Sequence, residues 1–437
     1  MSDTSNFWDK SAETLSAEGL EELQIERLKS TLERASISAF YGPRFKEIGL
    51  GPESISSLAD VRKIPFTVKQ DLRDSYPYGL LCEPKERLVR MHVSSGTTGQ
   101  ATAVFYSRAD VEVWADLLAR CMYMSGARPG HTFQNLTGYG LFTGGLGFHY
   151  GAERLGLLTI PSGAGNSRRQ IQIMRDFSTN IIHIIPSFAL LLMDVISEIG
   201  IDPREDLALE IAFVGAEPYS EEVRHRIQDF YGIKVYNSYG LSEMNGPGVA
   251  FECPCQNGLH IWEDAFLAEI VDPKTLEPVP DGQYGELVLT TLTREAMPIL
   301  RYRTKDLTRV VTGDCPCGRV HKRIDRIRGR SDDMFIIKGV NIFPIQVEQV
   351  LMHTPEVGNN YVILLRRENN IDEMIVRVEV TERIFVEDMR RLHQVRDKIT
   401  RDLKGQLLVT PKVELVEPNG LPRGDGKAMR LIDERHT

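Results

Sequence analysis

The chain has no apolar run long enough to span a bilayer. Its most hydrophobic stretch, residues 181–196, is interrupted by His183, Pro186 and Asp194 and falls short of the roughly 20 residues a membrane helix needs, so it reads as a buried strand running into a buried helix. Cysteine is scarce: six residues in 437 are too few and too unevenly placed for a disulfide scaffold. Lysine and arginine form no run and the formal charge is −9, which argues against nucleic acid or an anionic membrane as the main partner. Residues 1–15 are polar and acidic where a signal peptide has a basic start and an apolar stretch, so a cytoplasmic protein is expected. Glycine and proline stand near average usage, excluding collagen-like and low-complexity classes. What remains is a length suited to two or three domains, 42% hydrophobic and 26% charged residues, and a small-molecule enzyme as the leading class.

Leu20, Leu23, Leu28 and Leu32 recur at helical spacing and predict an amphipathic helix over residues 17–35. Strand-like and helix-like runs then alternate: 88–93 with 108–124, 156–160 with 168–177, 181–185 with 188–199, and 210–214 with 220–231. Such alternation predicts βαβ units and a largely parallel sheet. From His260 the pattern changes to short strands with turn residues, at 266–271, Pro280-Asp281-Gly282 and 286–290. Beyond Gly329, strands are predicted over 334–338, 361–366 and 373–380, with helices over 345–353 and 386–403. The predicted class is α/β: a large N-terminal domain, residues 1–328, with mainly parallel sheets and a β-rich subdomain, then a small mobile α+β domain, residues 329–437.

Small or hydroxylated residues, Ser94-Ser95-Gly96-Thr97-Thr98-Gly99, stand between a strand and a helix. Such a loop turns backbone N–H groups inward as an anion nest and adds hydroxyl donors, which suits a triphosphate. It is not a Walker A loop, since no Gly-Lys-Ser/Thr follows, and a run of this composition is by itself more often a solvated turn. The chain also carries Gly215-Ala216-Glu217-Pro218, Tyr239-Gly240-Leu241-Ser242-Glu243, Arg301-Tyr302-Arg303-Thr304-Lys305-Asp306, Gly329-Arg330-Ser331-Asp332 and Gly424-Asp425-Gly426-Lys427. In this order the set resembles the adenylate-forming superfamily of acyl-CoA synthetases, and in detail its ligases of aryl-acetic acids. The resemblance covers nearly the whole chain.

It implies ATP-dependent activation of an aryl-acetic acid, phenylacetate first, to an acyl-adenylate with release of pyrophosphate, followed by transfer to coenzyme A. Ser94, Ser95, Gly96, Thr97, Thr98 and Gly99 are then expected to hold the β- and γ-phosphates. Glu243 offers a hard oxygen ligand for Mg²⁺, although a glutamate on a loop is otherwise expected to be solvated. Tyr239 presents a flat face to adenine, with Gly240 and Ser242 beside it and Gly215, Ala216, Glu217 and Pro218 leaving the slot for the base. Asp306 is suited to the ribose hydroxyls, the alternative being a salt bridge to Lys305 or Arg303.

By the same resemblance Lys427 bridges carboxylate and α-phosphate, Arg330 contacts ribose or phosphate, and Asp332 is the hinge. Composition alone makes Lys427 a solvated turn lysine. Lys338, Gly339, Val340 and Asn341 are expected to line the route of the pantetheine arm, or else to form an ordinary turn. Tyr139, Phe142, Gly145, Ala216 and Pro247 are expected around the acyl group, against the alternative of core aromatics about a glycine-rich turn. One departure stands out: Gln100 and Ala101 occupy positions where relatives place a basic residue and a proline, so weaker charge compensation on the triphosphate and a raised ATP requirement are expected. A homodimer acting on small molecules is the expected assembly. Two other readings stay open, an adenylyltransferase of a deazaflavin cofactor and a silent aryl-CoA-binding protein.

Four of the six cysteines form two Cys-Pro-Cys pairs, Cys253/Cys255 and Cys315/Cys317, and four N/S ligands fix zinc tetrahedrally at closed structural sites. The resemblance implies Cys253, His260, Cys315 and Cys317 as the ligand set, with Cys255 as rival to His260. Free cytoplasmic thiols are the alternative.

Overall fold

The molecule, a computed structural model, describes residues 6–94, 101–141, 143–368, 371–385, 389–422 and 430–435. Ser16 accepts a hydrogen bond from the Gly19 N–H and starts the helix Ala17–Ala35, which buries Leu20, Leu28 and Leu32. Ser107 and Asp110 form a capping box at the head of the helix Arg108–Met124. Among the described residues no helix is long and apolar enough to cross a membrane.

Packing divides the chain into two compact units: Met1–Ile184, Leu207–Ala216 and Lys234–Ile327 make the first, and Ile185–Asp206, Glu217–Ile233 and Arg328–Thr437 the second. The first is built on a nine-stranded sheet in the order Val310–Val311, Arg323–Ile324, Leu259–Ile261, Gly246–Glu252, Lys234–Leu241, Ile211–Gly215, Ile181–Ile184, Thr132–Asn135, Leu158–Ile160. From Lys234–Leu241 to Leu158–Ile160 the strands run parallel, and Ile181–Ile184 and Ile211–Gly215 are buried throughout, as sheets covered on both faces require. From Lys234–Leu241 toward the other edge they run antiparallel. The sheet is therefore mixed rather than mainly parallel.

The strand Leu88–Val93 does not join it. It forms an antiparallel ribbon with Ala103–Ser107, because only a short connection, residues 94–102, separates the two runs, and a parallel pairing needs a crossover of a dozen residues or more. The β-rich part contains Phe266–Val271, Gly285–Thr291 and Tyr302–Thr308 in antiparallel pairing. A buried ion pair between Glu13 and Arg319 ties the segment before the first long helix to the loop at residues 315–321.

In the second unit, Val357–Glu368 and Ile371–Val380 pair antiparallel, flanked by parallel partners Leu431–Asp433 and Lys412–Val416. The helix Met389–Leu407 buries Val395, Ile399, Leu403 and Leu407, one stripe at four-residue spacing. Arg226, on the helix Glu221–Tyr231, donates to the carbonyls of Met352, Thr354 and Val357 and to Asn359. Glu348 accepts from the Ser220 N–H and from the Tyr361 hydroxyl.

His183 lies buried on the parallel part of the first unit's sheet, stacked on Phe148 at 3.7 Å between centroids. Burial pushes its pKa down to about 3. Below pH 6.5 the unfolded chain therefore takes up a proton that the fold refuses, so stability falls with pH down to about 3, at about 1.4 kcal/mol per unit for this group. Urea unfolding at pH 7, 6 and 5 is expected to show His183→Gln losing close to one proton's worth of this slope; an unchanged slope contradicts the assignment.

Candidate active site

The strand Lys234–Leu241 ends in a tight turn and returns as Gly246–Glu252. The strands close in so far at this point that a Cβ on Gly240 would stand 2.0 Å from the Gly246 carbonyl oxygen. Ser242–Met244 form a short 3-10 turn and Asn245 takes φ 76°, a left-handed conformation that asparagine tolerates. This geometry turns Glu243 inward to 5% exposure rather than leaving it solvated. Its carboxylate faces the Lys69 ammonium at 3.8 Å, and its carbonyl accepts from Arg294 at 3.1 Å. Ser242 Oγ lies 3.3 Å from Thr143 Oγ1.

Three residues upstream of Ser242, on the strand Lys234–Leu241, Tyr239 donates its hydroxyl hydrogen to Asp306 at 2.6 Å. Arg303 and Lys305, the alternative partners of Asp306, both turn to Glu286, at 2.7 and 3.7 Å. The neighbouring parallel strand brings Gly215 against Ser238, where a Cβ would meet the Ser238 carbonyl oxygen at 2.3 Å, and Ala216 follows at φ 69°. Gly215, Ala216, Tyr239, Gly240, Ser242 and Glu243 thus gather at or just beyond the carboxyl ends of two adjacent strands, and Asp306, on the strand Tyr302–Thr308 of a separate sheet, joins them through Tyr239. Ser94 closes the neck of its loop through Thr102, with its hydroxyl 2.8 Å from Thr102 Oγ1. Ser95, Gly96, Thr97, Thr98, Gly99, Gln100, Phe142 and Lys427 lie outside the described residues.

Around the expected acyl region, Asn135 is a buried hub: its amide donates to the Gly145 carbonyl at 2.7 Å and to Tyr139 Oη at 3.2 Å. Tyr139 Oη also meets His149 Nδ1 at 3.3 Å, and burial raises the Tyr139 pKa to about 12. Pro247 accepts from the Trp114 indole N–H at 2.8 Å. Phe148, by contrast, belongs to the core, among Phe133, Phe213 and Phe251.

In the second unit, Glu217 accepts from the Ser187 N–H and hydroxyl at 3.1 and 3.0 Å, at the head of the helix Pro186–Glu198; Pro218 follows it in the chain. Arg330 grips Asp332 with two hydrogen bonds, 2.9 and 3.0 Å. Lys338 and Gly339, at φ 50° and 80°, form the two-residue turn of a hairpin whose strands are Phe335–Ile337 and Val340–Ile342, so Val340 and Asn341 are strand residues.

The two Cys-Pro-Cys segments make matching turns: the Gln256 N–H donates to the Cys253 carbonyl and the Gly318 N–H to that of Cys315, with positive φ at Gln256 and Gly318. They bring the ligand atoms of Cys253, His260, Cys315 and Cys317 within 4.8 Å of one another. Cys253 and Cys315 sulfurs lie 3.6 Å apart, and Cys317 Sγ lies 3.3 Å from His260 Nε2; a tetrahedral ion with sulfur at about 2.3 Å sets its thiolates about 3.8 Å apart. His260 Nδ1–H donates to the His321 carbonyl at 2.9 Å, which leaves Nε2 with its lone pair toward the sulfurs, as a metal-bound histidine requires. The hydrogen bond from Cys253, together with His260, holds the Cys317 thiol well below its usual range. The donor set fits a structural divalent ion. Cys255 is exposed and stands outside the set.

Burial pushes both Cys82 and Cys121 up to about 12, so they are poor nucleophiles at neutral pH. Brief alkylation of the native protein at pH 7.5, read by peptide mass spectrometry, is expected to label Cys255 first; equally fast labelling of Cys253 or Cys315 contradicts this arrangement.

Sequence reasoning missed Lys69, Arg294 and the Asn135 hub. For Arg294 the sequence offered no signal, since it is flanked by Thr293 and Glu295.

Comparison with known proteins matches residues 50–292 to the AMP-binding enzyme family and residues 339–435 to the AMP-binding enzyme C-terminal domain. The chain is 47% identical to a phenylacetate-coenzyme A ligase of Thermus thermophilus, over 97% of this chain and 98% of that one. It is 42% identical to the phenylacetate-coenzyme A ligase of Escherichia coli strain K12, over 97% of each. A crystal structure of 2-hydroxyisobutyryl-CoA ligase in the postadenylation state, in complex with R3-HIB-AMP, is similar with a TM-score of 0.94 and 32% identity, covering 100% of this chain and 94% of that one. The chain belongs to the AMP-binding, adenylate-forming enzymes, in the family of the phenylacetate-CoA ligases.

Proposed function

We propose that this protein is an AMP-forming ligase that joins an aryl-acetic acid, phenylacetate first, to coenzyme A. A carboxylate oxygen attacks the α-phosphorus of ATP, the bond to the β-phosphate oxygen breaks, and pyrophosphate leaves. The thiol sulfur of coenzyme A then attacks the acyl carbonyl, losing its proton, and AMP leaves with the carboxylate oxygen. The observation that carries this reading is the gathering of Tyr239, Glu243 and Asp306 about one sharp turn.

In this reading Tyr239 stacks on adenine, Gly215, Ala216, Glu217, Pro218 and Gly240 are assigned to the base, and Asp306 and Arg330 to the ribose. Ser94 to Gly99 and Ser242 take the phosphates. Glu243 fits a Mg²⁺ ion, being a buried carboxylate beside the site; bound there, the ion offsets charge on the triphosphate. Tyr139, Phe142, Gly145, Ala216 and Pro247 surround the aryl group. Lys427, a compact charge on a flexible stem, joins carboxylate and α-phosphate. The boundary falls between residues 328 and 329, with Asp332 as the hinge of a mobile C-terminal domain, and the hairpin Lys338–Asn341 serves the pantetheine arm. A cytoplasmic homodimer is part of the same reading.

Zinc held by Cys253, His260, Cys315 and Cys317 is a structural clip in the β-rich region. Three thiolates and one neutral imidazole on Zn²⁺ carry a net charge of about −1. Arg323, on the strand Arg323–Ile324, donates to the carbonyls of Asn257 and Gly313, on the loops that bear the ligands, and suits that charge.

Acid-dependent exchange of labelled pyrophosphate into ATP, run across aryl and alkyl acids, tests the function. Phenylacetate is expected to give the highest rate, with stoichiometric consumption of coenzyme A in the full reaction; exchange without loss of free thiol refutes the ligase reading. Lys427→Ala is expected to lower exchange about a hundredfold or more while ATP still binds, and unchanged exchange refutes its role. Metal analysis is expected to find close to one zinc per chain, lost in Cys317→Ser together with thermal stability. Purified protein without zinc refutes the clip.

A further inference from the structure

Arginines that are almost wholly buried in this protein fall into two sets. Arg120, Arg224, Arg301 and Arg319 each meet a carboxylate, from Asp264, Glu221, Glu269 and Glu13. Among the described residues, Arg294 and Arg323 make hydrogen bonds to carbonyl oxygens alone. A buried cation answered only by neutral dipoles is costly to hold unless an anion comes to it.

Arg294 has no exposed surface. One arm of its guanidinium donates to the Glu243 carbonyl at 3.1 Å and the other to the Phe105 carbonyl at 2.6 Å. Its Cζ lies 4.7 Å from the centroid of the Tyr106 ring, and its Nε is buried without a partner among the described residues. Asp110, a possible counter-ion, turns instead to the backbone N–H groups of Ser107, Glu295 and Ala296. The fork thus does two things. It fixes the backbone of Glu243 to the strand Ala103–Ser107, and among the described residues it keeps its positive charge out of any ion pair, in a low-dielectric interior where charge acts at longer range than in water.

We infer that Arg294 is a positioning residue for the metal-bound triphosphate, setting the place of the Glu243 carboxylate through its backbone and supplying the compensating charge that Gln100 and Ala101 do not. The inference rests on the reading of Glu243 as a metal-site residue. It also accounts for a chain that lacks a basic residue after the phosphate-loop glycine: the charge comes instead from Arg294, bonded to the Glu243 backbone.

The two contributions separate in two variants. Pyrophosphate exchange is measured against MgATP, against free Mg²⁺ at fixed ATP, and against phenylacetate, with circular dichroism and a thermal melt as the check on folding. R294Q removes both fork and charge, and is expected to raise KM for MgATP and the Mg²⁺ concentration for half-activation about tenfold each, with KM for the acid within about twofold. R294K retains the charge without the fork, so KM for MgATP is expected near the wild-type value while the Mg²⁺ requirement rises. A folded R294Q with both constants unchanged overturns the inference, and so does an R294K whose KM for MgATP is as impaired as that of R294Q. Should R294Q not fold, an unchanged Mg²⁺ requirement in R294K overturns it. E243Q run in parallel keeps the underlying reading apart: if its Mg²⁺ requirement is unchanged, that reading fails, and the MgATP constants of the Arg294 variants still decide whether the charge acts.

Discussion

The site depends on one sharp reversal of the chain. Where Lys234–Leu241 hands over to Gly246–Glu252, the nine-stranded sheet passes from parallel to antiparallel. In open α/β sheets, ligands bind beyond the carboxyl ends of the strands, and here Gly215 and Tyr239 stand at or near two such ends while the reversal returns Glu243 beside them. The turn leaves no space for substitution: Gly240 nearly touches the Gly246 carbonyl, and a Cβ on Gly246 would press on Thr143 at 2.6 Å. Trp114, bonded to the Pro247 carbonyl, and Arg294, bonded to that of Glu243, hold the turn from behind. The carboxylate is placed by its backbone, and the backbone by groups that touch no substrate.

Charge follows the same plan. Among the described residues, four buried arginines are ion-paired within the protein, as in Arg120 with Asp264 and Arg301 with Glu269. Such pairs orient the framework more than they stabilise it, since desolvation offsets much of the Coulomb gain. Among the buried arginines of the described residues, Arg294 and Arg323 bond only to carbonyls, Arg294 to that of Glu243 and Arg323 to those of Asn257 and Gly313, on the loops of the cysteine cluster. Each of these places is assigned to an anionic assembly, a metal–triphosphate in one and a thiolate–zinc complex in the other. An overall charge of −9 is thereby compatible with a site that takes a highly anionic nucleotide, because the cations that matter are few, buried and fixed.

Much of this was legible in the sequence where local signals agree. The helices Ala17–Ala35 and Arg108–Met124 follow from apolar spacing, and the second also from Ser107 and Asp110 at its head. Among the described motif residues of the first unit, Tyr239 and Asp306 are brought into hydrogen-bond contact, while Ser95 to Gly99 lie outside the described residues. Thr132–Asn135 escaped notice because it is a buried strand of polar residues: Gln134 and Asn135 satisfy themselves through Gln170, Gly145 and His183, so no hydrophobic pattern marks them. Pairing was also hidden, since the run at 88–93 looks the same whether it enters a parallel sheet or folds back on Ala103–Ser107. The choice between His260 and Cys255 depended on strand register, with His260 opposite Phe251 and Arg323, and register across long loops is not a local property. Arg294 stands beside Glu295 with no local mark, and only its two carbonyl partners, distant in sequence, give it a role.

The central claim is that the carboxylate itself attacks the α-phosphorus of ATP at this turn. Phenylacetate labelled with ¹⁸O in both carboxylate positions, turned over with ATP and coenzyme A, measures this by mass spectrometry of the nucleotide product. The account predicts AMP carrying one ¹⁸O atom per thioester formed. Unlabelled AMP, or ADP with labelled phosphate, contradicts it.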